Sequence, residues 1–272
     1  TRLEQDPDVL DTWFSSALWP FAVLGWPEQT PELEYFYPTD LLITDRMILW
    51  LWVARMIFCG LEFLPEAQDG GLPFYEVLVH PTILNPEGKR MSRTLGTGVD
   101  PMELIERYGP DATRFGLLSQ CSASQDVRFS EERLEQSRNF CNKIWNAMRL
   151  ALMNLPASGL ARRASISEDP RALLADATLA ERWILSRLDA AIEKTTRALE
   201  EYRFDDAAPA IYEFFWNEVC DWYLEMAKPL LRDKARNKRA SAVMLFVLSR
   251  CLKLLHPFMP FITEELWSFL PE

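Results

Sequence analysis

At roughly 150 residues per domain, a chain of 272 residues is about two domains long, enough for each to bury its own core. Its 40 acidic and 29 basic residues leave a net charge of −11 and a pI near 4.9, which excludes a globally basic nucleic-acid binder but not one whose cations are gathered on a single face. Apolar residues make up 49 %, with ten tryptophans and sixteen phenylalanines, and so much aromatic area excludes a disordered chain.

Five cysteines, Cys59, Cys121, Cys141, Cys220 and Cys251, are widely spaced and form no CxxC pair. With His80 and His256 as the only histidines, no protein-bound zinc or other metal site of ordinary spacing is expected. Each thiol reads as a small buried hydrophobe, and the reducing cytoplasm is the expected compartment. The longest apolar run, Met47 to Phe58, is broken by Arg55 and is too short for a bilayer, so no membrane partner is expected. The opening Thr-Arg-Leu-Glu-Gln-Asp-Pro-Asp reads as the middle of a protein, so a longer parent is expected.

Two textures meet near residue 128. Before it, short apolar runs alternate with Pro and Gly, as in an α/β fold. Leu41–Thr44 and Tyr75–His80 read as strands, each followed by a helical stretch, which predicts a parallel sheet. Asp100-Pro101-Met102-Glu103 has the spacing of a capping box with Pro at the first helical position, so a helix is expected from residue 101 to near Gly109. Pro110-Asp111 opens the next, with Ala112, Phe115 and Leu118 for its buried face.

After residue 128 the texture is helical. Ser130 is placed to cap a helix whose first turn carries Glu131 and Glu132, and Leu134, Phe140, Ile144, Ala147, Leu150 and Leu152 recur at helical spacing. Leu155 to Glu168 breaks it. Helices follow at about 176–201, 205–228, 234–255 and 261–270, with Pro229, Pro257 and Pro260 as joints. The predicted architecture is therefore a partial Rossmann-like parallel α/β sheet over 1–128 followed by an all-α antiparallel helix bundle over 129–272.

Two stretches stand out chemically. Residues 85–96 form a Gly-punctuated loop between a strand and a capped helix, with Lys89, Arg90 and Arg93 as cations that suit phosphate. Further on, Lys228, Arg232, Lys234, Arg236, Lys238 and Arg239 face one acid, Asp233, in an otherwise acidic chain, a patch that suits RNA phosphates. Trp183, Trp216, Trp222 and Tyr223 read as bundle core, and so do the tryptophans at helical spacing, Trp50 among them.

Arg90-Met91-Ser92-Arg93-Thr94 resembles the Lys-Met-Ser-Lys-Ser signature of class I aminoacyl-tRNA synthetases, with Leu95-Gly96, Asp100-Pro101 and Tyr108-Gly109 following in place. Leu10 to Pro20 and Trp52-Val53-Ala54-Arg55-Met56 are similar to segments of the valine-specific members. Arg138-Asn139-Phe140, Lys143 to Asn146, Tyr212 to Asn217, Cys220 to Tyr223 and His256 to Phe261 resemble their anticodon-binding domain. The resemblance implies that the parent uses ATP with Mg2+ to activate valine and transfers it to tRNA(Val), with a monomer favoured. It places Arg90 and Arg93 on the phosphates of ATP within the signature Arg90 to Thr94, and Lys89 beside them. It assigns the amino-acid pocket to Trp13, Ile48 and Trp52.

Where that family has Gly-x-Asp before the second of these tryptophans, this chain has Asp45-Arg46-Met47. Met47 stands in the place of the ribose-binding acid, and Asp45 is the carboxylate left to reach the sugar. The family's paired-histidine signature and editing insertion are expected upstream of Thr1, so this stretch alone is expected neither to activate nor to edit. The other reading is a non-catalytic tRNA-binding module that has lost adenylate chemistry.

Overall fold

The computed structural model describes residues 4–5, 7–92, 96–121, 126–154 and 176–270, so the expected break at 155–168 lies outside the described residues. The described residues form two compact units, one up to Thr82 and the other from Ile83 onward.

In the first unit, Asp11 opens helix α1 (Thr12–Ala22) by accepting the Trp13 amide at 2.7 Å. Thr30 opens α2 (Pro31–Phe36), with Pro at its first position. Strand β1 (Thr39–Asp45) runs parallel to β2 (Phe74–His80), in a register that sets Leu41 opposite Glu76 and Asp45 opposite His80. Between the strands lies α3 (Ala54–Phe63), entered through a 3₁₀ turn at Arg46–Ile48 and a π-helical turn at Leu49–Val53. This is the strand–helix–strand unit that the apolar periodicity predicts. The connection back to β2 needs glycine at two points, because a Cβ on Gly60 would stand 2.3 Å from the Gly71 carbonyl oxygen and one on Gly71 2.4 Å from that of Gly60. Tyr37 donates to the same Gly71 oxygen at 2.6 Å, and burial pushes its phenol up to about 12.

In the second unit, β3 (Ile83–Leu84) lies parallel to β4 (Val127–Arg128). Helices α4 (Pro101–Tyr108) and α5 (Pro110–Leu118) come between them, and α6 (Glu131–Met153) follows. Asp100 accepts the Met102 amide at 2.8 Å, and Gly109 adopts φ +89° to turn between α4 and α5, as expected from Asp-Pro and Gly-Pro. Helices α7 (Leu179–Glu200), α8 (Phe204–Glu213), α9 (Leu224–Arg232), α10 (Asn237–Leu255) and α11 (Pro260–Ser268) complete the bundle. Its core gathers Phe140 against Phe115, Tyr212, Phe215 and Trp216.

The second compact unit begins at Ile83, because Phe115 of α5 packs into the bundle core and β3 pairs with β4. Several local expectations are corrected. Ser130 makes no side-chain cap bond; the complete capping box is at Thr178, whose hydroxyl accepts the Glu181 amide at 3.3 Å while the Thr178 amide donates to Glu181 at 2.8 Å. On α6 the last buried positions are Met148 and Ala151, while Leu150 is exposed and Leu152 is half-buried. Pro229 does not end a helix but sits inside α9, and a ten-residue π-helical stretch, Phe214–Tyr223, joins α8 to α9 without a break.

All five thiols are free, and burial pushes Cys141 and Cys220 up to about 12 and raises Cys251 further. These three should resist iodoacetamide at pH 8 in the folded chain and react once urea is added, as read by mass spectrometry. Because the folded pKa values lie above the unfolded ones, their contribution to stability is full below about pH 8.5 and is lost as pH rises toward 12. Native alkylation of Cys220 or Cys251 at pH 8 contradicts this.

Candidate functional site

The residues singled out by sequence fall on both compact units. In the first, Asp45 ends β1, and its carboxylate accepts the Met47 amide at 2.6 Å and the Thr82 hydroxyl at 3.1 Å, so it fixes the turn after the strand. Met47 itself is exposed. The π-helical turn that follows sends neighbouring tryptophans to opposite environments: Trp50 is 84 % exposed, against its reading as core, while Trp52 packs with Val53, Met56 and Phe74. The Trp52 indole donates to the Ser16 carbonyl at 3.0 Å, which ties the turn to α1 and holds the ring in one orientation. Ile48 is half-buried on the same turn.

Trp13 opens on a cavity of about 380 Å³ walled by Phe14, Arg55, Phe58, Cys59 and Glu62, whose lining includes neither Ile48 nor Trp52. A second cavity of about 690 Å³, between Trp26, Tyr37 and Phe63, contains none of the residues singled out by sequence.

In the second unit, Asn85 to Arg90 form a tight hairpin. The Asn85 amide donates to the Lys89 carbonyl at 2.8 Å, and the Asn85 side chain accepts the Lys89 amide at 2.7 Å. Gly88 takes φ +79°, and Arg90 returns to bridge Leu84 in antiparallel fashion. Lys89 and Arg90 both emerge exposed. Met91 points the other way, into an apolar cluster of Leu104, Phe129 and Leu134. Ser92 is held by its amide donating to the Thr97 hydroxyl at 2.9 Å, while the Thr97 amide donates to the Ser92 carbonyl at 3.1 Å. Arg93 and Thr94 lie outside the described residues. Sequence reading missed Arg128, which stands beside Gly88 so closely that a Cβ there would be 3.3 Å from its Nε. Nothing local signals this, since the pairing of β3 with β4 is what brings Arg128 to the loop.

At the α9–α10 junction the six cations are not equivalent. Arg232, Lys234, Arg236 and Lys238 are exposed, and Arg236 stands 3.9 Å from Asp233. Lys228 pairs with Glu225 at 2.5 Å on its own helix. Arg239 is turned inward, 3.9 Å from the buried Glu181. Trp222 is 64 % exposed and corrects its reading as core, whereas Tyr223 is fully buried and Trp183 and Trp216 are half-buried against the core. Lys143 lies over the Trp216 ring at 4.4 Å and pairs with Asp221 at 2.8 Å. Among the described residues no three His, Cys, Asp or Glu side chains come together to hold a metal.

Residues 1–130 match the family described as tRNA synthetases class I (I, L, M and V), and residues 181–272 match the anticodon-binding domain of tRNA ligase. The chain is 51 % identical, over its full length, to a valine–tRNA ligase of Carboxydothermus hydrogenoformans. It is 48 % identical over 98 % of its length to that of Geobacillus stearothermophilus, and 47 % identical over 98 % to that of Bacillus subtilis. It spans 29 % of the length of each of these three relatives. Among solved structures, a LeuRS of Agrobacterium radiobacter in ternary complex with tRNA and LeuAMS superposes with TM-score 0.79 at 22 % identity, covering 97 % of this chain and 32 % of that one. A Mycobacterium tuberculosis methionyl-tRNA synthetase in complex with methionyl-adenylate gives 0.71 at 19 %, covering 94 % and 49 %. At these identities the two structures show a shared fold.

Proposed function

Because the chain belongs to the class I tRNA synthetases, we propose that it is the portion of a valine–tRNA ligase that carries the signature loop and the anticodon-binding bundle, divided in sequence near residue 128. The observation that carries this reading is the 47–51 % identity to valine–tRNA ligases along essentially the whole chain. In the complete enzyme the valine carboxylate attacks the α-phosphate of ATP in line and pyrophosphate leaves. The valyl group then passes to the terminal adenosine of tRNA(Val). Such chemistry asks for placed positive charge rather than a nucleophilic side chain.

Lys89 and Arg90, presented by the hairpin, supply that charge to the departing phosphates, joined by Arg93, and the Thr94 hydroxyl completes the signature. Magnesium would accompany the nucleotide on its own phosphates. Trp52, fixed by the Ser16 carbonyl, is one wall of the valine pocket, with Trp13 and Ile48 completing it alongside residues of the longer protein. Asp45 supports the nucleotide site by holding the turn after β1. The cytoplasm, where tRNA is charged and thiols stay reduced, is the compartment we propose, with a monomer as the working form.

Arg232, Lys234, Arg236 and Lys238 form the exposed RNA face of the bundle, with Lys228 at its edge. Arg239 acts instead within the fold, against Glu181. The chain should bind a tRNA(Val) transcript with an affinity that falls as salt rises. The triple substitution of Lys234, Arg236 and Lys238 by Ala should flatten the slope of log K against log salt by about 2. Arg239→Ala should leave the slope alone while lowering stability. A slope unchanged in the triple variant would remove the patch from the RNA surface.

One observation favours a second reading, a tRNA-binding paralogue without adenylate chemistry: Met47, an exposed thioether, stands where the family has an acid. Valine-dependent pyrophosphate exchange by the full-length protein separates the two. Its absence, with tRNA binding retained, selects the second.

A further inference from the structure

A compact polar joint in the second unit ties α4 to the first turn of α6. The Tyr108 hydroxyl donates to Glu131 Oε2 at 2.9 Å, and Arg107 donates to both oxygens of that carboxylate, at 3.2 Å and 2.8 Å. Arg107 also donates to the Tyr108 oxygen at 3.1 Å. The guanidinium groups of Arg107 and Arg138 lie 5.1 Å and 5.8 Å from the centre of the Tyr108 ring. The hydrogen bond from Tyr108, then those from Arg107, hold the Glu131 carboxyl below its ordinary range.

An exposed joint of this kind adds little to stability. A bidentate Arg–carboxylate pair with a third donor does, however, fix direction closely. What it fixes is visible on the other side of the tyrosine. Tyr108 belongs to the apolar cluster of Leu104, Phe129 and Leu134 that also receives Met91, the middle residue of the signature loop. On its outer side the described part of the loop is held by short contacts of its own, the Leu84–Arg90 bridge and the bonds of Ser92 with Thr97. Met91 joins the loop to that cluster.

We propose that Tyr108 and Glu131 are positioning residues for the signature loop: by pinning α4 to α6 they fix the floor on which Met91 seats, and so set where Arg90 presents its charge. The proposal rests on the reading of this loop as the phosphate-binding signature. Neither residue touches the reacting atoms. Their effect is geometric, and a shift of about 1 Å in a charge meant for a departing phosphate costs on the order of a hundredfold in rate.

Hydrogen–deuterium exchange of the 272-residue chain tests the footing directly, at the hydrogen-bonded amides of Lys89 and Ser92. Tyr108→Phe keeps the ring in the cluster and removes the hydroxyl; Glu131→Gln keeps an acceptor and removes the charge. Both should speed exchange at these two amides by about fivefold or more. Arg187→Ala, which breaks the Arg187–Glu218 pair elsewhere in the same unit, should not. In the full-length ligase the same two variants should lower kcat for pyrophosphate exchange about tenfold per titrated active site, with KM for ATP within about twofold. A role confined to stability would lower the number of active sites and leave kcat per site intact.

Unchanged exchange at Lys89 and Ser92, equal acceleration by Arg187→Ala, or an unchanged kcat per site each overturns the proposal. A wild-type protein without any pyrophosphate exchange overturns the synthetase reading instead, and the amide exchange then decides the footing by itself.

Discussion

Replacing Asp111 by Ala should destabilise the second unit by about 3 kcal/mol, read as a fall in urea midpoint at constant slope, because two charge-assisted bonds are lost together. Asp111 sits in the first turn of α5, yet its buried carboxylate accepts the amides of Phe261 at 3.2 Å and Ile262 at 2.6 Å, in the first turn of α11. It is an N-cap supplied by another helix, at the end where the helix dipole favours negative charge. One turn along α5, Arg114 donates to the carbonyls of Phe258 and Pro257, both at 3.2 Å, so the same helix binds the amides and the carbonyls of the turn into α11. Asp111→Asn keeps one acceptor and should cost about half as much. A loss below about 1 kcal/mol for Asp111→Ala would mean that water serves these amides as well as the carboxylate does.

That joint also marks where reading along the chain stops being enough. The cap at Asp100, the helix start at Pro101 and the turn at Gly109 are legible because every partner lies within a few residues. Asp111 carries a related local signal, an acid just after Pro110 in the first turn of a helix, but its partners lie on α11, and only the packing of α5 on that helix identifies them. Ser130 shows the converse: a good cap residue whose side chain makes no cap bond.

The buried face of α6 was legible as far as Ala147, where periodicity and hydrophobicity agree. It failed at Leu150 and Leu152, where the strict 3.6-residue repeat places Met148 and Ala151 inward. Periodicity could not foresee the π-helical stretches at Leu49–Val53 and Phe214–Tyr223, each of which shifts the helical phase; Trp50 and Trp222 end up exposed in them. Of the candidate site, the signature cations were readable by resemblance. The inward anchor Met91, the neighbouring Arg128 and the inward turn of Arg239 are consequences of tertiary packing.

Arg90→Ala, introduced into the full-length ligase, should lower kcat for valine-dependent pyrophosphate exchange about a hundredfold, roughly 2.7 kcal/mol of transition-state stabilisation. The reason is the hairpin. Asn85 clamps the Lys89 backbone at both its amide and its carbonyl, and Arg90 is held by its bridge to Leu84, so the charge is placed before the substrate arrives rather than ordered by it. A placed charge acts on the negative charge that builds up as pyrophosphate leaves, so the loss should appear in kcat more than in KM. Lys89→Ala should cost less, about tenfold, since Arg90 remains on the hairpin and Arg128 beside Gly88. Arg90→Lys distinguishes charge from shape: an ammonium keeps the charge but cannot make a bidentate contact. Recovery to within about threefold of wild type would show that the site uses a point charge, as a lysine signature does. Failure to recover, with Arg90→Ala still at about a hundredth of wild type, would show that this loop has been refitted around the planar guanidinium. An Arg90→Ala ligase as active as wild type would leave the phosphates to other residues and remove the loop from the chemistry.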